Sequence, residues 1–597
     1  MDRKILIIFF AALLAAGGPA RGERVEPYSV SIHLHGEKTD RLEGLLRDVS
    51  TAAAHRDTPP PSFTLLEAIA RDDAKKMKKI LRAESFYTAA IEIDLKDRDR
   101  SPRLYFSVTT GPPFLIGAVK VEIAGPPLPP DLLPPGQVEI LLPPGSRGTS
   151  TAILNAETAI LNYFRRRGYP AVKTAGREVV VDYAANSVSV TYRVEPGPRC
   201  RFAATKFIGL EEVREKFVRR QIPYRPGRIY SPVLVQTLRN RLARTGLFTT
   251  LLISTEEAGE PEGEGDPLQP LDVLVTLRER DPNTVGLEAG YSTDIGFGGA
   301  VSWEDRNLFG RGELFRLRVF GSEELYYAEG LFRIPTFLHP DQSLSLTIQP
   351  VYDRPKAYDS DRIRASAVLR REFGDTFVFS AGTALTFDRV EQFNDQREFY
   401  LFSIPLNVQL KVGGDQPFRR AGALFLFQAE PYFDIQRDTS FIKTMATGNF
   451  LCRLPGLDFL TALARVTVGS IREADLEEVP ADLRFYAGGA NSIRGYSYQM
   501  VGPLVGRDPV GGLSLFTTSF ELNCQVIGDF GVAAFLDGGA AFAERQPSWG
   551  DEIRWGAGPG LRYFTPIGPI GLDVGFPIEP REVDSDFQVY VSIAQIY

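Results

Sequence analysis

At 597 residues, with 43% apolar and 24% charged side chains, the chain is too long for one ordinary domain and too polar for a bundle of membrane helices. A net charge of −7 supplies no overall positive field, so nucleic acid is not an expected partner. Cys200, Cys452 and Cys524 are odd in number and widely spaced, which points to neither a disulfide framework nor a metal site.

The chain opens with Arg3 and Lys4, the apolar run Ile5 to Ala16, and small residues ending at Ala20-Arg21-Gly22. That run is too short to cross a bilayer as a helix, and residues 1–22 read as a secretory signal with cleavage near Gly22. No later window is long and apolar enough for a helical anchor.

From residue 28 to 279 one unit recurs: a strand ending in glycine, a helical segment, a turn with an aromatic or leucine, then two strands. The strand ends read SIHLHG at Gly36, KVEIAG at Gly125 and TKFIG at Gly209. The turns read SFY from Ser85, GYP from Gly168 and GLF from Gly246, and the closing strands are RLYFSV from Arg103, VSVTYRV from Val188 and DVLVTL from Asp272. Helical periodicity supports the units, with Leu234, Leu238 and Leu242 on one face, and Ile153, Ile160 and Phe164 on another. Gly-Pro joints at TGPPFLIG and EPGPRCRF place the units in series, at 28–110, 111–196 and 197–280. The proline-rich stretch 126–135 and the acidic stretch 256–270 read as solvated loops. His33 and His35 fall on one side of a strand with no further ligand nearby, and a solvated edge is expected there.

From Asn283 to Tyr597 the pattern changes to period two. In SLSLTIQPVY, Leu344, Leu346, Ile348 and Tyr352 share a face, and in the last segment Phe587, Val589, Val591, Ile593 and Tyr597 do so. Alternation over roughly ten residues, broken by turn residues, predicts an all-β transmembrane barrel of about 16 antiparallel strands over 283–597. The fold class expected is therefore three α+β modules followed by that barrel.

One stretch carries the functional signal. FYAGGANSIRGYSYQ, 485–499, lies between the strand blocks 459–471 and 513–525, in a connection far longer than a hairpin turn. Gly488, Gly489 and Gly495 permit positive φ and close backbone approach, so the loop is expected to pack against the inside of the barrel. No GxxxxGK[ST], HExxH or GxSxG occurs, and neither enzyme activity nor a cofactor is expected.

The three modules resemble POTRA (polypeptide-transport-associated) domains, and GGxxSIRGY, with FLDGGAAF from Phe535 and GAGPGLRYFTPIGPIGLD from Gly556, resembles the BamA/TamA outer-membrane assembly and two-partner secretion superfamily. The resemblance covers nearly the whole chain after residue 22, and three modules fit TamA-type members best. It implies that Ile493, Arg494, Gly495 and Tyr496, with the two glycines before them, form a lumen loop whose arginine meets an acid on the wall. Asp537 is the expected partner of Arg494 and Asp573 the second choice. It also implies a bacterial outer-membrane location with the modules in the periplasm, and unfolded outer-membrane or secreted client proteins, autotransporter-like ones among them. A long TamB-like periplasm-spanning partner is expected too, and a two-partner secretion transporter or a general BamA-like assembly factor is the alternative. The first and last strands must meet to close the barrel, and Gly286, Gly290, Phe587, Val589 and Tyr597 are placed at that seam, where glycines either weaken the pairing or relieve crowding.

Overall fold

The computed structural model describes residues 25–593 apart from 38, 98–101, 126–127, 129–131, 133–140, 261–267, 414–420, 455, 458, 549, 551 and 566–567. The signal reading at 1–22, much of the 126–135 and 256–270 loops, and Tyr597 lie outside the described residues.

Three small sheets open the chain, each three-stranded with the last strand of the unit in the middle. In the first, Arg103–Thr109 runs parallel to Ser29–His35 and antiparallel to Ala90–Lys96. In the second, Ser187–Glu195 lies between Leu115–Ile123 and Lys173–Asp182 in the same sense. The third orders Cys200–Ile208, Gln269–Glu279 and Phe248–Glu257. Their helices form where side chains cap them: Ser62 Oγ accepts from the Leu65 amide ahead of Phe63–Ala83, and Thr149 Oγ1 from the Ala152 amide ahead of Ser150–Arg165. Ile153, Ile160 and Phe164 are buried against Val188, Val190 and Tyr192 of the second sheet, as 3.6-residue periodicity requires. His33 and His35 are exposed.

The described chain falls into two compact units whose division runs through the third module, the second unit holding 275–597. There, one antiparallel sheet runs in sequence order from Asn283–Ser292 to Gln588–Ile593. It contains seventeen strand segments, but Asp395–Ser403 and Leu406–Val412 both pair with Phe377–Gln392 on one side and Ala421–Asp434 on the other. They are two halves of one strand, broken at Pro405, which has no amide hydrogen to give. The sheet thus has sixteen strand positions among the described residues.

Alternation sorts the faces. Leu287, Val301, Leu346, Ile348, Tyr352 and Phe427 point outward and are exposed. Inward, charged residues pair across rungs: Arg316 Nη2 lies 3.0 Å from Glu304, Arg318 Nη2 2.7 Å from Glu288, and Arg364 Nη2 2.5 Å from Glu430. An apolar outside around a polar inside inverts a water-soluble protein and fits a barrel in lipid.

Candidate functional site: an arginine-pinned loop in the lumen

The connection 473–513 does not extend away from the barrel. Its base is closed by paired main-chain bonds between Phe485 and Gly512, at 2.9 and 2.8 Å, and it contains a two-residue hairpin pairing Leu504–Val505 with Asp508–Pro509. Phe485, Ile493, Tyr496 and Val501 are buried with Leu513, Leu515 and Phe542 of the neighbouring strands. The turn itself needs its glycines, since Gly488, Gly489 and Gly495 have φ of 103°, 99° and 107°.

Gly495 lies against the wall so closely that a Cβ there would come 2.9 Å from the Phe576 carbonyl carbon. The wall is hollowed to receive it. On Arg554–Thr565, Gly556, Gly558 and Gly560 share one face, and a Cβ at Gly556 would collide with the Arg494 carbonyl. The loop occupies the space left at Gly556 and at Gly575 on the next strand, where a Cβ would come 2.5 Å from the Gly495 amide nitrogen, while Gly558 and Gly560 make room for Phe535 and Asp573.

Arg494 reaches the floor of this hollow with 3% of its side chain exposed. Its Nε and Nη2 donate to Asp537 Oδ2 at 2.7 Å and Oδ1 at 3.0 Å, and its own amide donates to Asp537 Oδ2 at 3.1 Å. Nη1 donates to Glu521 Oε2 at 2.8 Å and Asp573 Oδ2 at 3.0 Å. The guanidinium stacks 3.6 Å over the Phe535 ring. A second arginine completes the set: Arg562 Nη2 donates to Glu521 Oε1 at 2.9 Å, and Nη1 to Asp573 Oδ1 at 2.5 Å. Two guanidinium groups therefore bind three carboxylates, each acid shared or doubly bonded, and planar forks suit such bridging.

The loop also touches both ends of the sheet. Tyr590, on the last strand, accepts from the Gly495 amide at 3.0 Å and donates to the Tyr496 carbonyl at 2.7 Å. Asp294, in the turn after the first strand, accepts from the Ala490 amide at 3.1 Å through both oxygens. The residues placed in the loop and at its acid partners thus come together in space, and Asp537 and Asp573 bind Arg494 jointly instead of as first and second choice. Glu521, Arg562, Tyr590 and Asp294 were not identified from sequence.

At the seam, ladders join every neighbouring pair from first strand to last, and among the described residues none joins the last to the first. A side chain bridges instead: Thr293 Oγ1 donates to the Val589 carbonyl at 3.1 Å and accepts from the Val591 amide at 3.4 Å. Gly286 pairs with Ser302 and Gly290 with Gly298 inside the first hairpin. A Cβ at Gly286 would sit 2.5 Å from Ser302 Oγ, and Gly290 faces open space. Phe587 is exposed and its ring centroid is 6.3 Å from that of Phe576.

Three small modules in series ahead of a sixteen-position barrel, with an arginine loop pinned in its lumen, define a class of outer-membrane-type barrel. Residues 307–597 match the Omp85 superfamily domain. The outer membrane protein assembly factor BamA of Nitratidesulfovibrio vulgaris strain Hildenborough is 24% identical over 423 residues, covering 66% of this chain and 50% of that protein. BamA of Neisseria meningitidis serogroup B strain MC58 is 22% identical over 496 residues, covering 72% of this chain and 61% of that protein. The chain thus spans about half to three-fifths of the length of these two curated relatives. Among solved structures, BamA from Haemophilus ducreyi lacking POTRA domains 1–3 superposes with a TM-score of 0.65 at 18% identity, covering 80% of this chain and 99% of that one, a likeness of fold. Together these matches support the BamA/Omp85 family.

Proposed function

We propose that this chain is an outer-membrane insertase or translocase that assists assembly or secretion of β-barrel clients, autotransporter-like proteins among them, and that it is a TamA-like member with a TamB-like periplasm-spanning partner. Its barrel sits in the bacterial outer membrane and its modules in the periplasm. The observation that carries this reading is the seam. Among the described residues the sheet is laddered between every neighbouring pair of strands but not between its two ends, where the Thr293 hydroxyl bonds the main chain of the last strand.

A client strand leaving water must satisfy its amides and carbonyls inside lipid, and an unpaired strand edge offers partners of any sequence. Burial of the client's apolar face supplies the driving force, so no nucleotide is needed. The arginine loop, bonded to Tyr590 on the last strand and Asp294 beside the first, holds both edges in place while the seam is free.

The test is a disulfide between cysteines introduced at Thr293 and Val591, in a chain lacking its native cysteines and reconstituted in vesicles. Oxidation is expected to abolish accelerated folding of an added unfolded barrel client, and reduction to restore it. Full acceleration in the oxidised form would sink the seam mechanism.

A further inference from the structure

A groove of about 610 Å³ is cut into the outer face of the barrel along the strand Asp359–Phe373. Its floor is made of small side chains, Ala365 and Ala367 on that strand and Thr383 on Phe377–Gln392. Register stands large ones on both flanks. Leu346 lies opposite Ala367 and Ile348 opposite Ala365 on one side, and Leu385 lies opposite Ala365 on the other, with Phe402 beyond it. The groove widens at Thr383, because the adjoining strand is broken at Pro405 and, among the described residues, neither half pairs with Thr383. Its volume is that of a site for one small molecule, and an unfilled furrow between large side chains would forfeit dispersion contacts.

The ends of the groove say what fills it. Outward along Asp359–Phe373, Ile363, Ala365, Ala367 and Leu369 lie between Asp361 and Arg371. That apolar span of about ten residues is what a tilted strand needs to cross a hydrocarbon core, so Arg371 stands at one interface. It is the interface beside the third module, whose Arg244 pairs with Asp375 in the next turn. The Arg371 guanidinium is 5.2 Å from the centre of the Phe373 ring, and among the described residues it makes no ion pair. A planar cation at that level suits a phosphate. Ala367 is about 13 Å further along the strand, so an acyl chain hanging from that phosphate runs past Leu369 onto the floor.

We propose that this groove binds one phospholipid of the periplasmic leaflet, its phosphate on Arg371 and one acyl chain along Ala367 and Ala365. The proposal rests on the outer-membrane seat of the barrel given above.

The test uses the full chain, refolded into phosphatidylglycerol vesicles, extracted in mild detergent, and titrated with phosphatidylglycerol or with diacylglycerol of the same chains while bound lipid is counted by native mass spectrometry. The wild type should hold one phosphatidylglycerol, and hold it more tightly than diacylglycerol. Ala367→Leu fills the floor and should weaken phosphatidylglycerol binding roughly tenfold, the effect of unseating about two methylenes. Ala446→Leu, exposed on the outer face of Thr439–Arg453 and outside the groove, should match the wild type. Arg371→Gln should remove the preference for phosphatidylglycerol over diacylglycerol. A wild type that enters the vesicles but binds phosphatidylglycerol no better than Ala367→Leu does, or no better than it binds diacylglycerol, overturns the lipid site alone. A wild type that does not enter the vesicles overturns the outer-membrane seat and the lipid site with it.

Discussion

Arg494 serves three acids, and its replacement removes more than one ion pair. In Arg494→Met, Asp537, Glu521 and Asp573 keep only Arg562 as a cation, and removing one member of a buried charged set costs about 3–5 kcal/mol. Arg562→Met leaves Asp537 fully bonded and should cost less. The denaturant midpoint for loss of the compact barrel on unheated gels should therefore fall in the order wild type, Arg562→Met, Arg494→Met. The reverse order would remove Arg494 from the centre of the network. A charge swap between Arg494 and Asp537 can restore the site only in part, because Glu521 and Asp573 would then face a glutamate. A different residue gives a pH prediction. Burial pushes the Cys200 thiol from its ordinary 9.0 up to about 11. Its folded value is the higher, so its stabilising contribution is complete below the unfolded value and is lost as pH rises from about 9 to about 11. At neutral pH, maleimide should leave buried Cys200 untouched in the native protein and label it only on unfolding.

At the level of elements, the loop and the strand beneath it were shaped for each other by glycine on both sides. Gly495→Ala adds a Cβ 2.9–3.0 Å from the main chain of Phe576 and Pro577 at φ 107°, strain of about 1–3 kcal/mol concentrated where the loop seats. The expected result is faster proteolytic clipping within 485–512, whereas Gly506→Ala, at φ 66° in the loop's hairpin but with nothing within 4 Å, carries only the backbone strain and should clip more slowly than Gly495→Ala. Equal clipping of both variants would mean that seating does not depend on that close approach. The same contact explains what could be read from sequence. Alternation tells which residues share a face, which suffices for the barrel class, and the glycine-framed Arg494 and the DGG of Asp537 stand out locally. It does not tell which rung lies beside which. Ser519 opposite Asp537, Glu521 opposite Phe535 and Asp573 opposite Tyr590 are facts of register across four strands. Glu521, Arg562 and Tyr590 were invisible for that reason, although alternate Gly556, Gly558 and Gly560 running into Arg562 was a legible sign of a hollowed inner wall.

For the whole molecule, the question is which solvent surrounds the barrel, and exposure alone does not answer it. Leu338, in the turn between Leu325–Ile334 and Gln342–Asp353, is 87% exposed, and Ile348, midway along Gln342–Asp353, is 54% exposed. In water, arginine at either site would cost little, and at Leu338 less packing would be lost. In a bilayer the order is set by depth: arginine on the lipid face near the midplane costs about 2–4 kcal/mol, falling towards zero beyond the interface. Ile348→Arg should lower the free energy of refolding into vesicles by that amount, while Leu338→Arg, in the turn, should match the wild type. Both variants should retain the lumen network, since Ile348 points away from it and neither residue touches Arg494. Two indistinguishable refolding free energies would mean that the apolar outer face does not meet lipid, and the barrel's role as a membrane-seated template for client strands would fall with it.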